Sequence, residues 1–465
     1  MQRSTERFSD KADVTALLGA FCFFLSAVEY MLPKPMPFMR LGIANLPILL
    51  AVDILPFRWY LILAAVKVIG MSLLSGTLFS YIALFSLAGT MAAALAMWAL
   101  RHAGGRFISQ IGVSIAGAMV SNAVQVLIAR YLVFRETAWL IAPLFLGMGL
   151  ITGAALGVFA EHFARVSIWY AKASGLPDPE GAPGARRKGA DTREEKSTGE
   201  STGESAEKTA GQARKEATRA KKKERKDKTT AARARRRERT GALFSPGSLA
   251  LAGLVVMIAF LRQDSLIVKA ALLVVFALAA WASGKRFSLV TTLSVSLGIV
   301  LANLIVPSGR VLATVSGFRL TQGALFEGIE KALTFEGLMM LSKASIMSGL
   351  RLPGRIGRIV AAAFTYYDRI IEYKGKIRPA TLAMDADDLM LRVWESAARE
   401  TAPSAPSAPS TSFAPSASLS SAAPAGTPTG RNAGDTPGET ATRRKGIAIL
   451  AAVAAIVWAL SIFLP

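Results

Sequence analysis

The sequence predicts an all-α, polytopic membrane protein, and three observations carry that prediction. Of 465 residues, 52 % are hydrophobic, and the mean hydropathy is +0.40 despite a formal net charge of +22. Those values conflict within one soluble domain and resolve once the chain is divided into apolar and basic blocks. Within the apolar blocks, at 14–170, 243–371 and 446–464, runs of about 20 residues have the length of a membrane span.

The first half offers six spans, at 14–32, 41–55, 59–74, 81–100, 111–133 and 140–163. The second is short and ends at Pro56, which suits a re-entrant or tilted segment. The first run is too long and too aromatic for a cleaved signal peptide, so it reads as a retained helix. Arg3, Arg7 and Lys11 precede it, and Arg165 and Lys172 follow the sixth span. An even count puts both flanks on one side, and their Lys/Arg bias makes that side the cytoplasm, with the bundle in the cell (inner) membrane.

The expected organisation has five parts. A membrane domain spans 12–170, and a basic cytoplasmic linker follows at 171–242. Clusters such as Lys221-Lys222-Lys223-Glu224-Arg225-Lys226 keep that linker from burying enough apolar area to fold alone. It suits a topology anchor on anionic lipid. No specific nucleic-acid partner is expected, because the basic runs lack interleaved aromatic residues. A second membrane domain at 243–400 holds spans near 249–261, 266–282 and 289–306, then a segment at 323–350 broken by Glu327, Glu330, Lys331, Glu336 and Lys343. Residues 352–372 have helical apolar spacing punctuated by basic residues. That suits an amphipathic helix at the cytoplasmic face, or one docking a soluble partner. A Pro/Ser/Ala-rich tether at 401–442 leads to a last helix at 443–465 behind Arg443-Arg-Lys445, with its far end outside.

The most informative stretch is 29–50, where Glu29, a Pro-rich turn, Arg40 and Asn45 sit between two apolar runs. Broken backbone at membrane depth survives only where protein or a water-filled cavity covers it, so this stretch is a candidate binding site. Its structural alternative is a Glu29–Arg40 pair that fastens the loop. Lys67 lies midway through its span, beyond easy snorkelling, so it is expected to face the bundle interior and meet an anionic solute or a carboxylate. Asn122 and Gln125, three residues apart, share a helix face and either join the site or hydrogen-bond between helices. Asp53 is near a helix end, where water can reach it.

Catalytic apparatus is sparse. Cys22 is the only cysteine, and His102 and His162 lie at span ends, so no metal or other cofactor is expected. No phosphate-binding Gly-x-x-x-x-Gly-Lys-Ser/Thr loop occurs, and ATP hydrolysis would have to come from another chain. Asp385-Ala-Asp-Asp388 is one acidic cluster, whereas prenyl transfer needs two Asp-rich Mg²⁺ sites. The chain itself is therefore not expected to be an enzyme.

Leu-Pro-Lys-Pro-Met-Pro-Phe-Met-Arg-Leu-Gly-Ile-Ala-Asn (32–45), Ser75-Gly-Thr-Leu-Phe-Ser80, Gly112-Val-Ser-Ile-Ala-Gly117 and the glycine pair of Gly149-Leu-Ile-Thr-Gly153 resemble the Gx transporter family, also labelled heptaprenyl diphosphate synthase component I. The resemblance covers roughly 12–168. It implies a six-helix S-component of an energy-coupling-factor transporter, which captures a small nutrient. The synthase label implies a non-catalytic accessory role in heptaprenyl diphosphate synthesis as the alternative. The second half is similar to the transmembrane coupling component of such transporters, through Ser316-Gly-Phe-Arg-Leu-Thr-Gln-Gly-Ala-Leu-Phe-Glu-Gly328 and the segment from Leu352 to Arg369. In that family Ala-Arg-Gly motifs enter the ATPase subunits. None occurs between Leu352 and Glu400, and Arg355, Arg358 and Arg369 are the candidate substitutes. The expected function is solute uptake at Glu29, Arg40, Asn45, Lys67, Asn122 and Gln125, energised by separate ATPase subunits.

Overall fold

Apolar runs fold as helices here because a lipid-facing backbone must satisfy its hydrogen bonds internally. A computed structural model describes residues 11–31, 42–177, 231–285, 288–315, 318–347, 349–350, 352–373, 382–400 and 437–463. In the first half these form α1 (Lys11–Met31), α2 (Leu46–Ala51), α3 (Phe57–Ser75), α4 (Tyr81–Gly104), α5 (Gln110–Ala129), α6 (Ala138–Val166) and α7 (Ile168–Ser174). Among the described helices, Lys11–Glu29, Phe57–Ser75, Tyr81–Gly104, Gln110–Val166 and Lys445–Ile462 are long and apolar enough to cross a membrane. The fourth comprises two antiparallel helices.

The second expected span is the irregular one. It begins as a 3-10 turn, Ile43–Asn45, and continues as the six-residue α2 with Pro47 in its first turn, where a missing N–H costs nothing. α1 and α3 run the same way, since Gly19 faces Val66 and Gly70 faces Phe23. The broken segment is thus the return pass between them. α5 and α6 pack through glycines: Gly149, Gly153 and Gly157 face Asn122, Ile115 and Ile111 in turn. A Cβ on Gly157 would lie 2.6 Å from the Ile111 Cα, so the close backbone approach requires glycine.

Bundle ends are defined by contacts. At one end Asp53, Arg101, Gln110 and Tyr170 meet. The opposite end carries the turns 76–80 and 130–137.

The second half begins with α8 (Ala231–Leu243), bent by 87° against α9 (Pro246–Leu261). α8 lies where the sequence suggested linker. α10 (Leu266–Ala282), α11 (Leu289–Leu304), a hairpin of β1 (Val311–Val315) with β2 (Phe318–Thr321), and α12 (Gln322–Ser345) follow. α12 is the interrupted segment of the sequence, and it packs against α9, α10 and α11. It also crosses the turn end of the first bundle: Ser342 Oγ accepts from the Phe79 N–H at 3.0 Å, and Glu327 pairs with Arg135. Those two contacts are separated by about 22 Å of helix.

Last come α13 (Gly354–Tyr373), α14 (Leu382–Glu400) and α15 (Pro437–Phe463). The apolar face of α13, with Ile359, Val360, Ala363, Tyr366 and Ile370, is buried in one core with α1 and α3. Phe23 packs on Phe364 and Tyr367, with centroids 5.3 and 6.1 Å apart. The expected amphipathic helix is there, but the first bundle takes its apolar side. Only its charged face is left for a soluble partner.

Candidate functional site

Glu29 sits near the end of α1 and is 5 % exposed. Its Oε2 accepts the Ala44 N–H at 3.5 Å, so the carboxylate meets the start of the return pass. Gly42 makes that approach with φ +83°, a conformation that side chains disfavour. Lys67, on the buried face of α3 and 6 % exposed, donates from Nζ to Asn45 Oδ1. An ammonium in a bundle core costs several kcal/mol unless polar groups receive it. Three of the residues singled out in the sequence, Glu29, Asn45 and Lys67, therefore gather around the 3-10 turn. Arg40 lies outside the described residues.

Beside this turn is a cavity of about 20 Å³ between Gly42 and Asn45 on one side and Met97, Ser114, Gly117 and Thr152 on the other. That volume holds about one water molecule, so a larger solute needs the α2, α5 and α6 walls to part. Ser114 is fixed in the wall by donating to the Gly153 carbonyl at 2.7 Å.

Asn122 and Gln125 are not brought to this group. Asn122 Nδ2 donates to the Phe145 carbonyl of α6 at 2.7 Å, and Gln125 Nε2 donates to Ser121 Oγ at 3.0 Å. Asn122 thus ties α5 to α6, whereas the Gln125 bond stays within α5, where its side chain faces Gly89 of α4. Arg355 and Arg358 are exposed in the first turns of α13, one turn apart. Arg369 is about 16 Å further along the helix, so the three do not form one site.

Several polar contacts were not legible from sequence. Asp53 is not merely wet: it pairs with Arg101 at 2.7 Å and receives Gln110 Nε2 at 3.3 Å and the Tyr170 hydroxyl at 3.5 Å. Burial, then the Asp53 charge, pushes the Tyr170 phenol up to about 12. Asp387 of α14, 7 % exposed, accepts from Ser167 Oγ at 2.5 Å, the Trp169 N–H at 2.9 Å and the Ile168 N–H at 3.1 Å. It thereby caps α7 from 220 residues away. The charges of α12 find partners in the chain: Glu330 binds Lys269 at 2.7 Å, and Lys331 donates to Asn303 at 3.2 Å. Among the described residues no three His, Cys, Asp or Glu side chains gather as a metal site.

Six passes, a broken second one, and a polar cluster at the break define the first unit. Residues 18–163 match the family model described as heptaprenyl diphosphate synthase component I. This agrees with the family resemblance of the N-terminal motifs. The component I region runs from α1 to the end of α6 and contains Glu29, Asn45, Lys67 and the cavity. Residues 249–348, from α9 to just past α12, match a second model, Domain of unknown function (DUF8519). No curated protein and no solved structure matches the chain.

Proposed function

We propose that the chain is a membrane transporter component that binds a small solute in its component I region for uptake, energised by separate ATPase subunits. The observation that supports this most is the convergence of Glu29, Asn45 and Lys67 at a broken pass beside a small cavity. Ionisable groups inside a membrane bundle default to a binding role, and a site carrying both signs suits a small zwitterionic or anionic solute.

A mechanical link supports the energised form of the reading. α13 runs alongside α1 in the same direction, with Gly19 against Ala363 and Phe23 against Tyr367. A force on the exposed Arg355 and Arg358 face would move the helix that carries Glu29. The basic linker, in this reading, anchors the cytoplasmic side to anionic lipid at about 1 kcal/mol per Lys or Arg near the surface.

The family description favours a second reading, a non-catalytic membrane subunit of heptaprenyl diphosphate synthesis. Affinity purification from the native membrane separates the two. ATPase subunits in the eluate support the carrier, and a soluble Asp-rich synthase in their place supports the accessory subunit. Uptake and solute binding that survive both Lys67→Met and Asn45→Ala would reject the site.

A further inference from the structure

Besides the Phe79–Ser342 bond of the 76–80 turn, the two halves of the chain touch at two places of different strength. At one, α13 and α14 share a continuous apolar core with α1 and α3, and buried Asp387 caps α7. At the other, the 130–137 turn rests on α11 and α12. There Asn303 Nδ2 donates to the Val133 carbonyl at 3.0 Å, Thr137 Oγ1 donates to the Ala302 carbonyl at 2.8 Å, and Arg135 Nη1 meets Glu327 at 2.5 and 2.6 Å. A small apolar patch of Val133, Ile299, Ala332 and Phe335 backs these contacts.

The turn is strained. α5 does not end in a normal cap but continues as a π-helical turn, Arg130–Phe134. Arg135 then adopts φ 48°, ψ −133°, and it is the only non-glycine with positive φ among the described residues. Such a residue is destabilising and persists only where its surroundings hold it. Here the ion pair that holds it is exposed, with side chains 55 % and 38 % accessible, and exposed pairs hold weakly.

We propose that the 130–137 turn is a strained latch: Arg135 holds the turn end of the first bundle against α12 through Glu327, and this contact opens before the α13–α14 seam. The strain of Arg135 works against the exposed ion pair, two hydrogen bonds and a small apolar patch, whereas the seam loses a buried carboxylate cap and an extended apolar core if it parts. The proposal does not depend on which solute is carried.

Spin labels at Leu140 on α6 and Leu312 on β1, both exposed, report the joint in the full chain in nanodiscs. Buried Cys22 can remain in place. Arg135→Ala keeps the strain and loses the pair, so its docked population falls. Arg135→Gly loses both, and it stays docked about fivefold more than the alanine variant, the low end of what one strained residue costs. Glu327→Gln also shifts towards the longer distance, and Arg135→Glu with Glu327→Arg restores the native distribution. A second label pair inside the first bundle, at Leu95 and Leu150, is unchanged in every folded variant. Equal distributions for the native chain, Arg135→Ala and Glu327→Gln overturn the latch. Identical behaviour of the alanine and glycine variants overturns its strain.

Discussion

Removing the Asp387 carboxylate tests whether the end of the first bundle and α14 form one unit. In Asp387→Ala, Ser167 Oγ and the backbone N–H groups of Ile168 and Trp169 lose their acceptor. A deleted helix cap costs about 1 kcal/mol. Leaving the buried Trp169 N–H and the half-buried Ile168 N–H without acceptors raises the loss to about 3 kcal/mol. At about 2–4 °C per kcal/mol for a domain of this size, the apparent melting temperature falls by about 6–12 °C. Intrinsic fluorescence is the natural assay, because Trp169 and Trp394 are both buried near the seam. Asp387→Asn keeps one acceptor oxygen and should fall between the two. Hydrogen exchange localises the effect: the Ile168 and Trp169 amides lose protection, while the middle of α5 does not. An unchanged melting temperature together with unchanged protection at α7 would show that the capping contact contributes nothing.

Other predictions follow from single contacts. Gly157→Leu drives a side chain into the Ile111 backbone and should lower the melting temperature by several degrees, at about 1–3 kcal/mol for overpacking; an unaffected variant would contradict the glycine seam. Lys67→Met should abolish solute binding and lower the melting temperature, since it leaves Asn45 Oδ1 without its donor and takes the buried positive charge away from the cluster that holds buried Glu29; the same thermal scan and an uptake assay check both halves. Arg355→Glu with Arg358→Glu should remove ATPase co-purification yet leave solute binding intact, because both side chains are exposed on α13. Retained ATPase in that variant would place the docking face elsewhere.

Much of the architecture was readable from the sequence because long apolar helices in lipid are fixed by length alone. α10 spans Leu266–Ala282, as its apolar run predicted, and α1, α3, α4 and α6 end within a few residues of expectation. The break before α2 was also visible, since Gly42, Asn45 and Pro47 interrupt an apolar run. What the sequence hid are contacts set by long-range packing. Asp387 read as part of an acidic tail cluster because its partners are more than 200 residues away. Asn122 and Gln125 could serve a pocket or a helix seam, and their partners, the Phe145 carbonyl of α6 and Ser121 of α5 itself, are set by packing that residue spacing does not give. Arg135 carries no local signal of strain, because arginine is not a residue that favours positive φ. The apolar face of α13 was plain, but helical spacing does not say which surface covers it.

Mass spectrometry of the purified protein in mild detergent tests most directly whether Glu29, Asn45 and Lys67 hold a solute at the 3-10 turn. A small zwitterionic or anionic molecule should be retained by the native chain at near one per protein, and lost from folded Lys67→Met and Asn45→Ala. A folded Lys67→Met protein that retains the same molecule at the same occupancy would contradict that site.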